Sequence, residues 1–259
     1  MDLDSLENAD WYSVANVAGF DSPALLVYPE RIAENTRRML ALAGGPQRLR
    51  PHVKTHKLAE VIRLQLSLGI TKFKCATIAE AEMTAAAGAR DVLLAYQPVG
   101  PKLPRLLQLI ARFPEATFAT IADDPGLVRE LSVAAVSAGV SVPVFIDIDC
   151  GMHRSGILPA AGAFELYRAI ATAPGLLAGG LHVYDGHISN ADLTGREQEC
   201  NSALSPVRAL RQQLIAADLV AYQKPLYQVL ALDTEPAAPR ANTPLSAGQI
   251  LRQILGGAQ

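Results

Sequence analysis

Cysteine is scarce in this chain: among 259 residues there are three, Cys75, Cys150 and Cys200. An odd number at such wide spacing argues against a disulfide framework or a zinc knuckle, and points to a reduced, cytoplasmic protein. No run of ~18 apolar residues occurs, so no membrane span is expected. An excess of positive charge is also missing. The formal net charge is −2, which leaves nothing to neutralise nucleic-acid phosphates. The start, Met1-Asp2-Leu3-Asp4, lacks the basic region and apolar core of a signal peptide. No Gly-x-Gly-x-x-Gly follows the first expected strand, so a dinucleotide-binding fold has no fingerprint here.

What is present suits a globular α/β protein. Hydrophobic residues make up 50% and charged residues 19%, an ordinary core composition. The length allows one α/β barrel or two smaller domains. Short apolar runs alternate with amphipathic stretches, the pattern of a parallel α/β fold. Strands are expected at 24–28, around Lys54, and at 72–76, 91–96, 117–121, 143–149 and 177–184. Helices are expected at 29–43, 58–68, 79–87, 102–112, 125–138, 160–173 and 194–217. From the Lys54 strand onward this gives about six βα units, whereas a closed (β/α)8 barrel needs eight. The expected fold is therefore an incomplete TIM-type barrel. Lys54, Gln97, Asp147, Asp149, Arg154, His182 and Tyr184 fall at or just beyond C-terminal strand ends, where such barrels place their active sites. Beyond Leu219 the chain turns Ala- and Pro-rich. It offers one short strand at 227–232, a linker at 233–243 and a weak helix at 247–255.

Three segments carry chemistry. Arg50-Pro51-His52-Val53-Lys54-Thr55-His56-Lys57, read as a strand, puts Arg50, His52, Lys54 and His56 on one face. A face this cationic should line a pocket for an anion, because unpaired buried charge is costly. A lysine there has its pKa pushed down and becomes an amine nucleophile, as in Schiff-base formation. His52 and His56 would lie roughly 13 Å apart on such a strand, too far to share a metal. In Phe145-Ile146-Asp147-Ile148-Asp149-Cys150-Gly151-Met152-His153-Arg154-Ser155-Gly156, two carboxylates share a buried face and need donors or cations. Arg154 either fixes an anionic oxygen or bonds these carboxylates. In Gly179-Gly180-Leu181-His182-Val183-Tyr184-Asp185-Gly186-His187, His182 and Tyr184 share a face. The Tyr184 ring either stacks on a planar ligand or fills the barrel top.

In this order and spacing, the three segments resemble the barrel domain of D-threonine aldolases, eukaryotic-type D-serine dehydratases and alanine racemases, the fold type III pyridoxal-phosphate (PLP) enzymes. Ala76-Thr77-Ile78-Ala79-Glu80-Ala81-Glu82, Leu94-Ala95-Tyr96-Gln97-Pro98 and Asp185-Gly186-His187 lean towards the aldolases. The likeness covers roughly 22–219, with 1–21 as an N-terminal extension and 220–259 as a divergent, partly disordered tail. It implies that Lys54 carries PLP as a Schiff base, that Arg154 faces its phenolic oxygen and that Tyr184 lies against its ring. It places His52 near the substrate as a catalytic residue and His187 beside the cofactor and substrate. The implied activity is cleavage of D-β-hydroxy amino acids, D-threonine giving glycine and acetaldehyde. Alternatives are a non-catalytic PLP-binding barrel, a D-serine dehydratase or an amino-acid racemase. The family also uses a divalent metal, Mn or Mg, as a Lewis acid. The implied partner is a small D-amino acid, and a homodimer is left open.

The likeness stops near Leu219. The Gly-Gly-Ser/Thr-Pro phosphate loop and the C-terminal β domain that supplies the family's metal ligands have no counterpart in this sequence. The chain thus reads as truncated, its last segment a divergent end or the product of another reading frame. Open sheet edges are then expected to lower stability or promote self-association.

Overall fold

The computed structural model describes residues 12–14 and 16–220. All of them belong to the first of two units into which the chain divides, Met1–Lys224. The elements expected at 227–232, 233–243 and 247–255 lie outside the described residues. Five strands alternate with helices. After α1 (Pro29–Ala43) and α2 (Ala59–Ser67) come β1 (Lys72–Cys75), α3 (Ile78–Ala86), β2 (Asp91–Leu94) and α4 (Lys102–Arg112). Then follow β3 (Thr117–Ala122), α5 (Pro125–Ala138), β4 (Val142–Ile148), α6 (Ala161–Thr172), β5 (Leu176–Val183) and α7 (Leu193–Ala216). The strands form one parallel sheet in the order β1-β2-β3-β4-β5, as repeated βα units dictate.

The sheet is covered on its outer face and curls around its inner one. Val142, Val144, Ile146 and Ile148 of β4 are sealed against α5, α6 and α7 through Leu131, Leu166, Ile170 and Leu210. Phe73, Val92, Leu94 and Phe118 pack with Ile62, Ala81 and Leu106 of α2, α3 and α4. On the inner face Leu93, Ala119, Ile121 and Phe145 meet each other, which is why the strands read as nearly continuous apolar runs. Polar side chains project from the same inner face nearer the strand ends. Lys74 Nζ of β1 lies 2.8 Å from His182 Nε2 of β5. In a flat sheet, strands four steps apart would be separated by about 19 Å. The contact therefore requires the strong curvature of a barrel wall.

Two expected strands do not form. No strand is assigned over 24–28, where Leu25, Leu26 and Val27 are exposed. The Lys54 segment contributes one bridge, His52 to Lys74, and then turns into a 3-10 helix over Val53–Thr55. The physical reason is local. The imidazole Nδ1 of His52 accepts from the Lys54 N–H at 3.2 Å, and that of His56 accepts from the Leu58 N–H at 3.1 Å. Side-chain acceptors thus capture backbone donors that a sheet ladder would need. Val53 drops into the core, fully buried. Five βα-type strands, rather than about six, are present among the described residues. No helix among them is long and apolar enough to cross a membrane.

Candidate active site

The mouth of the curled sheet collects the polar residues singled out above, though not in the arrangement a strand would give. Arg50 leaves the group: it makes a two-pronged ion pair with Asp91, at 2.6 and 3.0 Å, and donates to the Phe73 carbonyl. Lys54 stands exposed on its turn, and its side chain has no ion pair or hydrogen bond among the described residues. The turn is clamped from behind by Glu80 of α3. This buried carboxylate accepts from Lys57 and, at 2.8 Å, from the Ala76 N–H. Burial alone would raise the Glu80 pKa, but these donors outweigh it and hold the carboxyl below its usual range. Thr77-x-x-Glu80 has the spacing of a capping box. Thr77 does cap α3, accepting from the Glu80 N–H at 3.1 Å, while the Glu80 side chain goes to the Lys54 turn instead.

Asp147 and Asp149 find their donors without Arg154. Asp147 Oδ1 takes a 2.6 Å hydrogen bond from His182 Nδ1, and Oδ2 one of 2.8 Å from Ser155 Oγ. Burial pushes the Asp147 carboxyl up, and these bonds pull it below its ordinary value. Asp149 accepts from the backbone N–H of His153 at 3.0 Å and of Gly151 at 2.9 Å, and from His153 Nδ1 at 2.9 Å. The first of these bonds contributes most to its lowered pKa. Asp123, at the end of β3, holds the far side of the same loop through the Gly156 N–H at 2.7 Å. Three carboxylates therefore organise the loop after β4, and Arg154 is left over. Its guanidinium sits 4.9 Å from the Tyr184 ring centroid, within cation–π range, and has no ion pair among the described residues. Tyr184 is 38% exposed.

The pKa values of His52 and His56 are both lowered. Burial first, then the charges of Lys54 and Lys74, bring the His52 pKa down to about 4. Burial lowers that of His56. The unfolded chain protonates His52 near its ordinary 6.5, the folded chain only near 4. The unfolded state thus binds more protons within this window, and stability is expected to fall as pH drops through it. Urea titrations across the window should show a declining midpoint, with a shallower decline in His52→Asn; a flat wild-type midpoint would contradict this. His187 lies apart. It borders an open groove of about 830 Å³ with Cys150, Asn190 and Glu199, and no hydrogen bond or ring contact joins it to Lys54, Arg154 or Tyr184 among the described residues. The cysteines are free, and burial pushes the Cys75 thiol up to about 12.

Lys74, Glu80, Asp123 and Ser155 were not singled out as site residues from the sequence. The detectable signal was the alternation of β1: Phe73 and Cys75 pack outward, so Lys74 must face inward. Among the described residues no group of three or more His, Cys, Asp or Glu gathers to hold a metal.

A curled parallel βα sheet with a lysine, an arginine and a ring at its mouth defines an alanine racemase-like barrel. The alanine racemase N-terminal domain matches residues 27–223, and the chain belongs to that family. It is 31% identical over 219 residues to a 3-hydroxy-D-aspartate aldolase of Paracoccus denitrificans (strain Pd 1222), covering 80% of this chain and 56% of that protein. It is 30% identical over 210 residues to a D-threonine aldolase of an Arthrobacter species, covering 79% and 55%. The crystal structure of D-threonine aldolase from Filomicrobium marinum superposes with a TM-score of 0.69 at 33% identity, over 76% of this chain and 54% of that one. The chain thus spans about half the length of the curated relatives it matches.

Proposed function

We propose that residues 22–219 form the cofactor-carrying barrel of a PLP-dependent lyase for D-β-hydroxy amino acids, of the D-threonine aldolase type. The observation that carries this reading is that Arg154 lies against the Tyr184 ring and that Lys54 and Arg154 both bear on the same Lys74 ammonium, with neither Lys54 nor Arg154 in an ion pair among the described residues. That set fits a flat, anionic aldehyde. Lys54 offers an amine for covalent attachment, Arg154 a guanidinium for an anionic oxygen, and Tyr184 a ring face for stacking. Bound there, PLP would supply the electron sink that stabilises carbanionic charge at the substrate Cα. Neutral His52, its Nδ1 committed to the Lys54 N–H, presents an Nε2–H donor beside the amine. His187, across the loop, is the candidate for contact with substrate.

The test is incubation of the purified chain with PLP and D-threonine, or 3-hydroxy-D-aspartate, with and without Mn²⁺. Release of glycine with acetaldehyde or glyoxylate supports the reading. Ammonia with a keto acid would reassign the chain to the dehydratases, and a bound chromophore without turnover would make it a non-catalytic PLP binder. Absence of PLP binding would end the proposal.

A further inference from the structure

We propose that Lys74 is the positioning residue that sets the spacing of Lys54, Tyr184 and Arg154 across the barrel mouth. Its consequence for cofactor binding rests on the PLP reading; the contact itself does not.

Lys74 is attached at both ends. Its backbone N–H donates to the Pro51 carbonyl at 2.8 Å, and it forms the bridge with His52, so its main chain fixes the segment that carries Lys54 two residues later. Its side chain crosses the concave face to β5. There the ammonium, which can only donate, reaches His182 Nε2 at 2.8 Å. Nε2 must then be the acceptor, and the imidazole proton sits on Nδ1, which donates to Asp147 Oδ1 at 2.6 Å. Asp147 Oδ2 accepts from Ser155 Oγ at 2.8 Å. Every donor in this relay has one acceptor.

The relay ends beside each proposed cofactor contact. His182 lies near the C-terminal end of β5, two residues before Tyr184. Ser155 follows Arg154 directly. The Lys74 ammonium is itself 5.8 Å from the Tyr184 ring centroid. The centre of the relay is shielded, with side-chain exposures of 10% for His182 and 5% for Asp147, so the bond between them is not readily exchanged for water; Ser155 at its end is exposed. β1 and β5 are the two ends of the sheet order and share no ladder. The side-chain link does what no backbone pairing among the described residues does: it fixes the distance between these strands. Burial, then the Lys54 charge, lowers the Lys74 pKa, with Asp147 opposing and Arg154 and Arg50 adding to the depression.

The decisive comparison uses Lys74→Met, which keeps the stem and removes the donor, and Lys74→Gln, which keeps an N–H donor without charge. In the free chain, ¹⁵N spectra of His182 are expected to show a bare Nε2 in wild type. In Lys74→Met, Nε2 loses the ammonium that donates to it, and its ¹⁵N signal is expected to move from the wild-type position. An unchanged Nε2 signal overturns the contact. With PLP added, Lys74→Met is expected to bind about tenfold more weakly while circular dichroism reports a folded chain. Lys74→Gln should recover part of that loss. Wild-type affinity in Lys74→Met, or no recovery in Lys74→Gln, overturns the positioning role. Should Lys74→Met not fold, Lys74→Gln must retain the bare Nε2, and its loss there overturns the proposal. If wild type takes up no PLP, the functional reading fails, and the ¹⁵N spectra still decide the contact.

Discussion

Lys54→Ala is expected to abolish borohydride-trapped attachment of PLP and to cut aldol cleavage roughly a thousandfold or more, the scale seen when a covalent catalyst is removed. The fold should survive. The Lys54 side chain is exposed and has no hydrogen bond or ion pair among the described residues, so the change should fall within the ~0.5 kcal/mol of a neutral surface substitution. The variant also removes the second-largest cause of the depressed His52 pKa, so this histidine should titrate higher than in wild type. Peptide mass mapping of the reduced adduct checks the first expectation and ¹H NMR titration the second. Lys74 lies close enough to compete for the aldehyde, so mapping must identify the modified residue. An adduct that survives in Lys54→Ala on another lysine would remove Lys54 from its role.

Gly156→Ala is expected to be among the most damaging single changes to the fold. Gly156 has φ +101°, a conformation that side-chain-bearing residues rarely adopt. A Cβ there would lie 2.6 Å from the Asp149 backbone nitrogen and 2.8 Å from the Ile148 carbonyl carbon. These atoms belong to β4 and the loop it enters and cannot swing away as a side-chain tip could. Strain and displacement together should cost roughly 2–4 kcal/mol and move the loop that holds Arg154 and Ser155. Gly139 is the matched control. Its φ is +66°, but a Cβ would meet nothing within 4 Å, so Gly139→Ala should cost only about 1 kcal/mol. Urea unfolding of the two variants decides the matter; equal losses would show that the backbone clash at Gly156 is relieved at little cost.

The alternation of apolar runs with amphipathic stretches located the five strands of the sheet and the seven α-helices among the described residues to within a residue or two, because burial on both faces of a parallel strand leaves a continuous apolar signature. The same logic misread 50–57. There, polar and apolar residues also alternate, but the imidazoles of His52 and His56 take backbone N–H groups for themselves, a competition that alternation does not register. The residues 24–28 have the apolar character of a strand, yet apolar character alone does not make one: a strand also needs a neighbouring strand to form a ladder with it, and none is assigned there.

The candidate site divides in the same way. Lys54, Asp147, Arg154, His182 and Tyr184 were legible as chemistry-bearing residues at strand ends, since unpaired charge has no place in a packed core. Their partnerships were not. Arg50 resembled a pocket residue until Asp91 was seen to bind it, and Arg154 had two open roles until His182, Ser155 and loop N–H groups satisfied the carboxylates. Local periodicity determined which elements form and which faces they bury, because those depend on neighbours in sequence. Which cations remain free, and how Lys74 comes to meet His182 across the sheet, was decided by the curl of the barrel alone, because it brings together side chains 108 residues apart.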